Sequence, residues 1–496
     1  MLTGFFGQLI ILALGILVPR FILKSYGDEA NGLVSAIGQI FVYLALIESG
    51  VGQASLQALY KPVVDNDKKS ISSILTTTRS TYRRLTLIYC VGVILIAVLY
   101  PLFVKVDVES VQFFGSKYFA ILLMVLVQGF SGAITFFFVA TIRQLMIADG
   151  SNYIIVNITT LIKVLTSVLK IVLINIGINI VLLQIVYFIL SVIEALIYII
   201  IIKTRYKWVD WKAEKDISVK KERKYFVVHE ISNVIFNSTD VLILSIFCDL
   251  TVASIYAIFN MVFSAINTLI SQVHSSTFYI LGQEFKKENN SYEKVHDAYD
   301  TCYMTGVFAL ISVAYLLINP FVTLYTNGVT SVNYSDKWLA LLFCFIQLLS
   351  CCRITSSNLI KIAGHAKKTM ARAIIEATIN LVCSIILVFF LGIYGVLLGT
   401  IVALLYRMND MIVYANKKIL GRTPWKTYRV VISYLLLFVG VILLNEFVRF
   451  DIVNYGQFVA YGLGLTVLSL TVYFAIGLLL NRNIVGFMKK LRRKKI

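Results

Sequence analysis

Fourteen apolar stretches, each near the roughly 20 residues that a helix needs to cross a hydrocarbon layer, leave this chain little room for any other design. They fall near residues 3–23, 32–54, 85–104, 118–142, 153–175, 180–202, 225–247, 252–273, 301–324, 338–360, 373–392, 394–415, 430–447 and 456–480. The runs are continuous rather than alternating, which excludes a β-barrel, and in hydrocarbon a helix satisfies its own backbone N–H and C=O groups. The expected fold class is all-α integral membrane, with about 14 transmembrane helices. Composition agrees, since 59% of the 496 residues are hydrophobic and the mean hydropathy is +0.84. The first span runs straight into Arg20 and Lys24 with no basic leader and no small-residue cleavage site, so it reads as a retained helix and not as a signal peptide.

A net charge of +19 suggests nucleic acid in a soluble protein, but here its distribution decides the reading. With the N-terminus placed inside, 35 of the 45 Lys and Arg fall in inner loops and the C-terminal tail. The positive-inside rule then expects an even number of spans, both termini in the cytoplasm and no nucleic-acid partner. The basic loops are expected to meet anionic membrane lipids.

The sequence also repeats itself. Tyr26 to Arg84 aligns with the segment from Phe247 onward at a shift of 221, and Gly177-Ile178-Asn179-Ile180-Val181-Leu182-Leu183 aligns with Gly392-Ile393-Tyr394-Gly395-Val396-Leu397-Leu398 at a shift of 215. Two six-helix copies follow, and because six is even they form a parallel repeat of the kind that supports alternating access around a central cavity. The expected domains are an N-terminal six-helix bundle (1–202), a basic cytoplasmic linker (203–224), a C-terminal six-helix bundle (225–415), and two extra helices with a basic tail (416–496).

A charge within a span costs about 2.5–3.5 kcal/mol on insertion scales, so each one needs a reason. The cations are Arg20, Lys163, Lys170, Arg353 and Arg407. Lys163 and Lys170 are seven residues apart and share one helix face. For Lys170 and Arg20, snorkelling to the interface competes with a site; Lys163, Arg353 and Arg407 lie deeper and favour a water-filled cavity. A basic cavity selects an anionic substrate, since desolvated guanidinium and ammonium groups hold phosphate oxygens. The acids are Glu48, Glu194, Asp240 and Asp410, with Glu230, Glu376 and Glu446 nearer span ends. Asp410 follows Arg407 by three residues, which suits an internal ion pair. Glu48 or Asp240 is the candidate for coupling transport to a proton or sodium gradient.

No nucleotide-binding loop, zinc-protease, nucleophile-elbow or acidic metal motif is present, so neither catalytic residues nor a metal site nor a cofactor is expected. The seven cysteines lie in or beside spans at no metal-ligand spacing and read as packing residues.

The first sixty residues add a family likeness. Pro19-Arg20 closing the first span, Tyr26-Gly27-Asp28-Glu29-Ala30-Asn31-Gly32-Leu33, and Ile47-Glu48-Ser49-Gly50-Val51-Gly52 resemble the Wzx-type polysaccharide flippases of the multidrug/oligosaccharidyl-lipid/polysaccharide exporter superfamily, as do Thr239-Asp240 and Tyr256-Ala257-Ile258-Phe259-Asn260 in the second half. Glu48 and Ser49 depart from the more usual Asp and Leu. The resemblance implies a flippase that moves undecaprenyl-pyrophosphate-linked oligosaccharide units from the inner to the outer leaflet of a bacterial cytoplasmic membrane, for capsule, exopolysaccharide or O-antigen synthesis. It further implies a polysaccharide polymerase and assembly proteins as partners, and a pyrophosphate-holding role for Arg20, the cation anchored by a motif. Lys163, Arg353 and Arg407 join it as substrate-binding candidates from the residues alone. The alternatives are another exporter of the superfamily, such as a lipid II or teichuronic-type flippase or a multidrug antiporter, and a membrane sugar polymerase.

Overall fold

The computed structural model describes residues 2–46, 51–104, 106, 111–215, 238–285, 292–328, 332–447, 452–484 and 486. Among them the regular structure is helical: α1 Leu2–Tyr26, α2 Asp28–Ala45, α3 Val51–Val64, α4 Lys68–Phe103, α5 Lys117–Ile134, α6 Ala140–Ala148, α7 Asn152–Asn175, α8 Ile180–Arg205, α9 Ser238–Phe247, α10 Leu250–Phe285, α11 Tyr292–Thr326, α12 Lys337–Cys352, α13 Ile354–Ile362, α14 Met370–Leu391, α15 Ile393–Tyr414, α16 Trp425–Phe447 and α17 Tyr455–Leu480. Eleven of the described helical segments are long and apolar enough to cross a membrane, so the chain is a multi-pass membrane protein.

Helix ends follow local chemistry. Asp67 caps α4 by accepting from the amides of Lys69 and Ser70, both at 3.1 Å, and Asp336 caps α12 by accepting from Trp338 and Leu339. These side chains satisfy amides that the first turn leaves without intrahelical partners. The repeat is visible in the same terms: α4 recurs as α11, the α5–α6 pair as α12–α13, α7 as α14 and α8 as α15. The aligned glycines Gly177 and Gly392 both adopt positive φ, at 83° and 54°, and each ends a helix so that the next begins within a few residues. A side chain there would meet the left-handed penalty.

The chain forms two compact units, Met1–Ala257 with Gly328–Thr330, and Ile258–Asn327 with Ser331–Ile496. The expected linker 203–224 is described to Lys215; α8 runs into it as far as Arg205. In the first unit, α7 and α8 each turn an apolar stripe outward, Leu161, Leu165, Val168 and Val172 on one, Ile189, Ile193, Leu196 and Ile200 on the other. In the second unit α11 is the most buried of the spans, and α16 and α17 dock on it through buried hydroxyl pairs, Thr305–Tyr434 and Ser312–Tyr473, both at 2.8 Å. Polar contacts between helices suit hydrocarbon, where apolar surface gains little by self-association.

Small residues allow the closest approaches. A methyl group on Gly32 of α2 would lie 1.9 Å from the carbonyl oxygen of Leu250, whereas one on Gly38 of the same helix would meet nothing within 4 Å. Gly32→Ala is therefore expected to destabilise the protein by about 1–3 kcal/mol, and Gly38→Ala to leave it within experimental scatter, as read by thermal unfolding in detergent.

Candidate functional site

Among the described residues, two clusters join charged side chains of different helices within the apolar segments, one in each unit. In the first unit the helix that begins at Lys117 does not stop after Ile142; it passes through a π-helical turn, Thr135–Val139, and continues as α6, which places Arg143 inside the unit. Arg143 Nη2 donates to Glu194 of α8 at 2.8 Å and to Thr159 Oγ1 of α7 at 3.1 Å, and its guanidinium stands 5.5 Å from the ring centre of Tyr198. Farther along the same two helices, Lys170 Nζ lies 5.3 Å from the ring centre of Tyr187.

The helical period orders these groups. Thr159, Lys163 and Lys170 occupy the side of α7 opposite its outward apolar stripe, and Tyr187, Ser191, Glu194 and Tyr198, spaced i, i+4, i+7 and i+11, occupy the side of α8 opposite its own. The contacts Arg143–Thr159, Arg143–Glu194 and Lys170–Tyr187 join the two polar sides into one seam. Lys163 sits within it, exposed, and among the described residues it makes no ion pair or hydrogen bond. Arg20 lies on α1, half-buried and partnered.

In the second unit Glu376 of α14 brings the two sequence-predicted arginines together. It pairs with Arg353, at the break between α12 and α13, and with Arg407 Nε of α15 at 3.2 Å. Asp410 accepts from Arg407 Nη1 at 2.8 Å and pairs also with Arg372. The i, i+3 pair expected from the sequence is present. The Arg407 side chain is only 4% exposed and both its carboxylate partners are engaged, so its charge is largely spent on holding α14 and α15 together. Arg353 keeps 19% exposure.

Of the coupling candidates, Glu48 lies outside the described residues. Asp240 is buried in α9 and accepts from the Tyr256 hydroxyl at 2.9 Å, beside a Tyr43–Thr239 hydroxyl contact. An apolar cavity of about 370 Å³ lined by Ile40, Tyr43, Leu44, Ile96, Tyr100 and Leu242 adjoins the Tyr43 contact.

In the sequence the apolar window ends at 142, which leaves Arg143 just outside a span, and Glu376 lies near a span end, so neither stands out as part of a buried cluster. The four-residue and three-residue spacing of Tyr187, Ser191, Glu194 and Tyr198 was the signal for the seam, since one polar stripe on an otherwise apolar helix implies a polar neighbour.

The fold so built is similar to those of solved transporters, among them members of the MOP superfamily. A lipid II flippase, MurJ, in an inward closed conformation superposes with a TM-score of 0.68, 14% identity, 98% of this chain and 100% of that one covered. A multidrug resistance MATE family transporter in an inward-facing conformation gives 0.66, 14% identity, 82% and 96%, and a Vibrio cholerae MATE transporter 0.52, 15%, 85% and 96%. At this identity the likeness is one of fold. No family model matches the sequence, and no curated protein matches it.

Removing the negative charge of Glu376 should be costly, because Arg353 then loses its ion pair and Asp410 is left as the one carboxylate for the three guanidinium groups of the network. Glu376→Gln is expected to lower stability by about 3–5 kcal/mol, read as thermal unfolding in detergent.

Proposed function

We propose that this protein is a flippase that carries an anionic, lipid-linked oligosaccharide from the inner to the outer leaflet of a bacterial cytoplasmic membrane by alternating access, with both termini in the cytoplasm. The observation that carries the reading is Lys163, an exposed cation in mid-helix on the polar side of α7 and unpaired among the described residues. An unneutralised ammonium at that depth is costly unless an anion visits it, and a phosphate or diphosphate is the anion that a lipid-linked sugar brings. The likeness to a flippase over 98% of the chain supports the same reading. Arg20 is proposed as a second contact to the diphosphate; in the second unit's network Arg353 and Arg372 both retain exposure, Arg353 being the one proposed to meet substrate, and Arg407 serves chiefly to pin helices.

The likeness to multidrug transporters favours a second reading, export of a cationic drug. A drug cation requires an accessible carboxylate, and the buried Asp240, bonded to Tyr256, is the nearest candidate. In the flippase reading Asp240, and Glu48 with it, instead couples the cycle to a proton or sodium gradient. The oligosaccharide products would pass to a polysaccharide polymerase and its assembly proteins.

Depletion of the protein is expected to cause lipid-linked oligosaccharide to accumulate on the inner leaflet, relieved by the wild type and not by Lys163→Ala. No accumulation on depletion sinks the substrate assignment; full relief by Lys163→Ala removes that lysine from the path. Asp240→Asn is expected to flatten the dependence of transport on the proton or sodium gradient in proteoliposomes, and an unchanged dependence would rule Asp240 out as the coupling group.

A further inference from the structure

The seam between α7 and α8 contains three cations at successive depths. Counted along α7 at 1.5 Å per residue, the Thr159 level that anchors Arg143 lies about 6 Å from Lys163, and Lys163 about 10 Å from Lys170. Their companions differ. Lys170 rests on an aromatic face, Lys163 stands open, and Arg143 is held by a carboxylate, with side-chain exposures of 29% for Arg143 and 14% for Glu194. Only one of the three cations of the seam therefore has a carboxylate partner among the described contacts, and that carboxylate belongs to the seam itself.

We infer that the α7–α8 seam is a stepped phosphate path in which Glu194 acts as a built-in substitute anion, occupying Arg143 until a substrate phosphate displaces it and reclaiming Arg143 to release that phosphate. This deepens the proposed flippase and rests on it for the identity of the cargo. The chemistry fits the geometry. The Arg143–Glu194 contact runs through a single guanidinium nitrogen, Nη2, which also donates to Thr159, so the pair lacks the two parallel bonds of the strongest carboxylate grip. An anion with more acceptor oxygens, arriving from Lys163, competes on better terms for the same planar donor set. Tyr198 and Tyr187 stand by Arg143 and Lys170 as neutral partners that steady each cation without cancelling its charge. A path of uncompensated cations alone would trap its cargo, and a competing carboxylate at the rung nearest the end of α6 shortens the stay.

The full-length protein in detergent, titrated with inorganic pyrophosphate by calorimetry, tests the seam, and proteoliposomes carrying a fluorescent short-chain polyprenyl diphosphate test the cargo. Lys163→Gln and Lys170→Gln are each expected to weaken pyrophosphate binding by about tenfold or more, with Lys163→Arg restoring it and Lys212→Gln, in the loop after α8, without effect. Glu194→Gln is expected to tighten binding by about tenfold while slowing translocation, a split that loss of a merely structural ion pair does not produce. The double variant Arg143→Gln with Glu194→Gln should lose that gain, since the freed guanidinium is gone. Unchanged or weaker binding by Glu194→Gln, or wild-type binding by both lysine variants, overturns the inference. If the binding pattern holds but no polyprenyl diphosphate is translocated, the seam stands and the flippase reading falls; if translocation proceeds equally in all variants, the flippase stands and the seam falls.

Discussion

Hydrocarbon offers no partner to a polar group, and the architecture depends on how each such group is answered from within. Backbone groups are answered by helix formation, which is why the described regular structure is helical. Hydroxyls are answered by the carbonyl four residues back, as in Thr166 to Ile162 and Thr305 to Thr301, or across helices, as in Thr305–Tyr434 and Ser312–Tyr473. The last contacts explain how α16 and α17, whose outward residues are apolar, stay attached to α11 without a hydrophobic drive. Charges are the hardest to answer, and the two units answer them differently.

In the second unit, three arginines and two carboxylates alternate: Arg353, Glu376, Arg407, Asp410, Arg372. Each guanidinium has a carboxylate within ion-pair distance, and the set ties the broken α12–α13 helix to α14 and α15. Such a network costs desolvation and returns it through close pairing, so its members are interdependent. In the first unit the balance is left open on the cationic side. Lys163 is exposed and Lys170 rests on Tyr187, while the carboxylate of the seam, Glu194, is bound to Arg143. A unit that leaves cations uncancelled at membrane depth on the face turned away from its lipid stripe is suited to receive an anion, and one that cancels them is suited to hold helices together.

The sequence by itself determined the class of fold, because the length and continuity of an apolar run are local properties to which the bilayer responds directly. It also determined the repeat, since the aligned Gly177 and Gly392 meet the same backbone requirement at the same place in each copy, and the Arg407–Asp410 pair, because three residues along a helix fix proximity without further information. Lys163 and Lys170 were legible as one face for the same reason. Only the tertiary structure decided which cations are spent and which are free. Glu376 meets Arg353 and Arg407 from a different helix, and Arg143 reaches Glu194 across 51 residues of sequence because α5 continues through a π-helical turn into α6. Hydropathy records the price of placing a charge in hydrocarbon. Whether that charge is cancelled depends on helices brought together by packing, and no local pattern along the chain encodes that pairing.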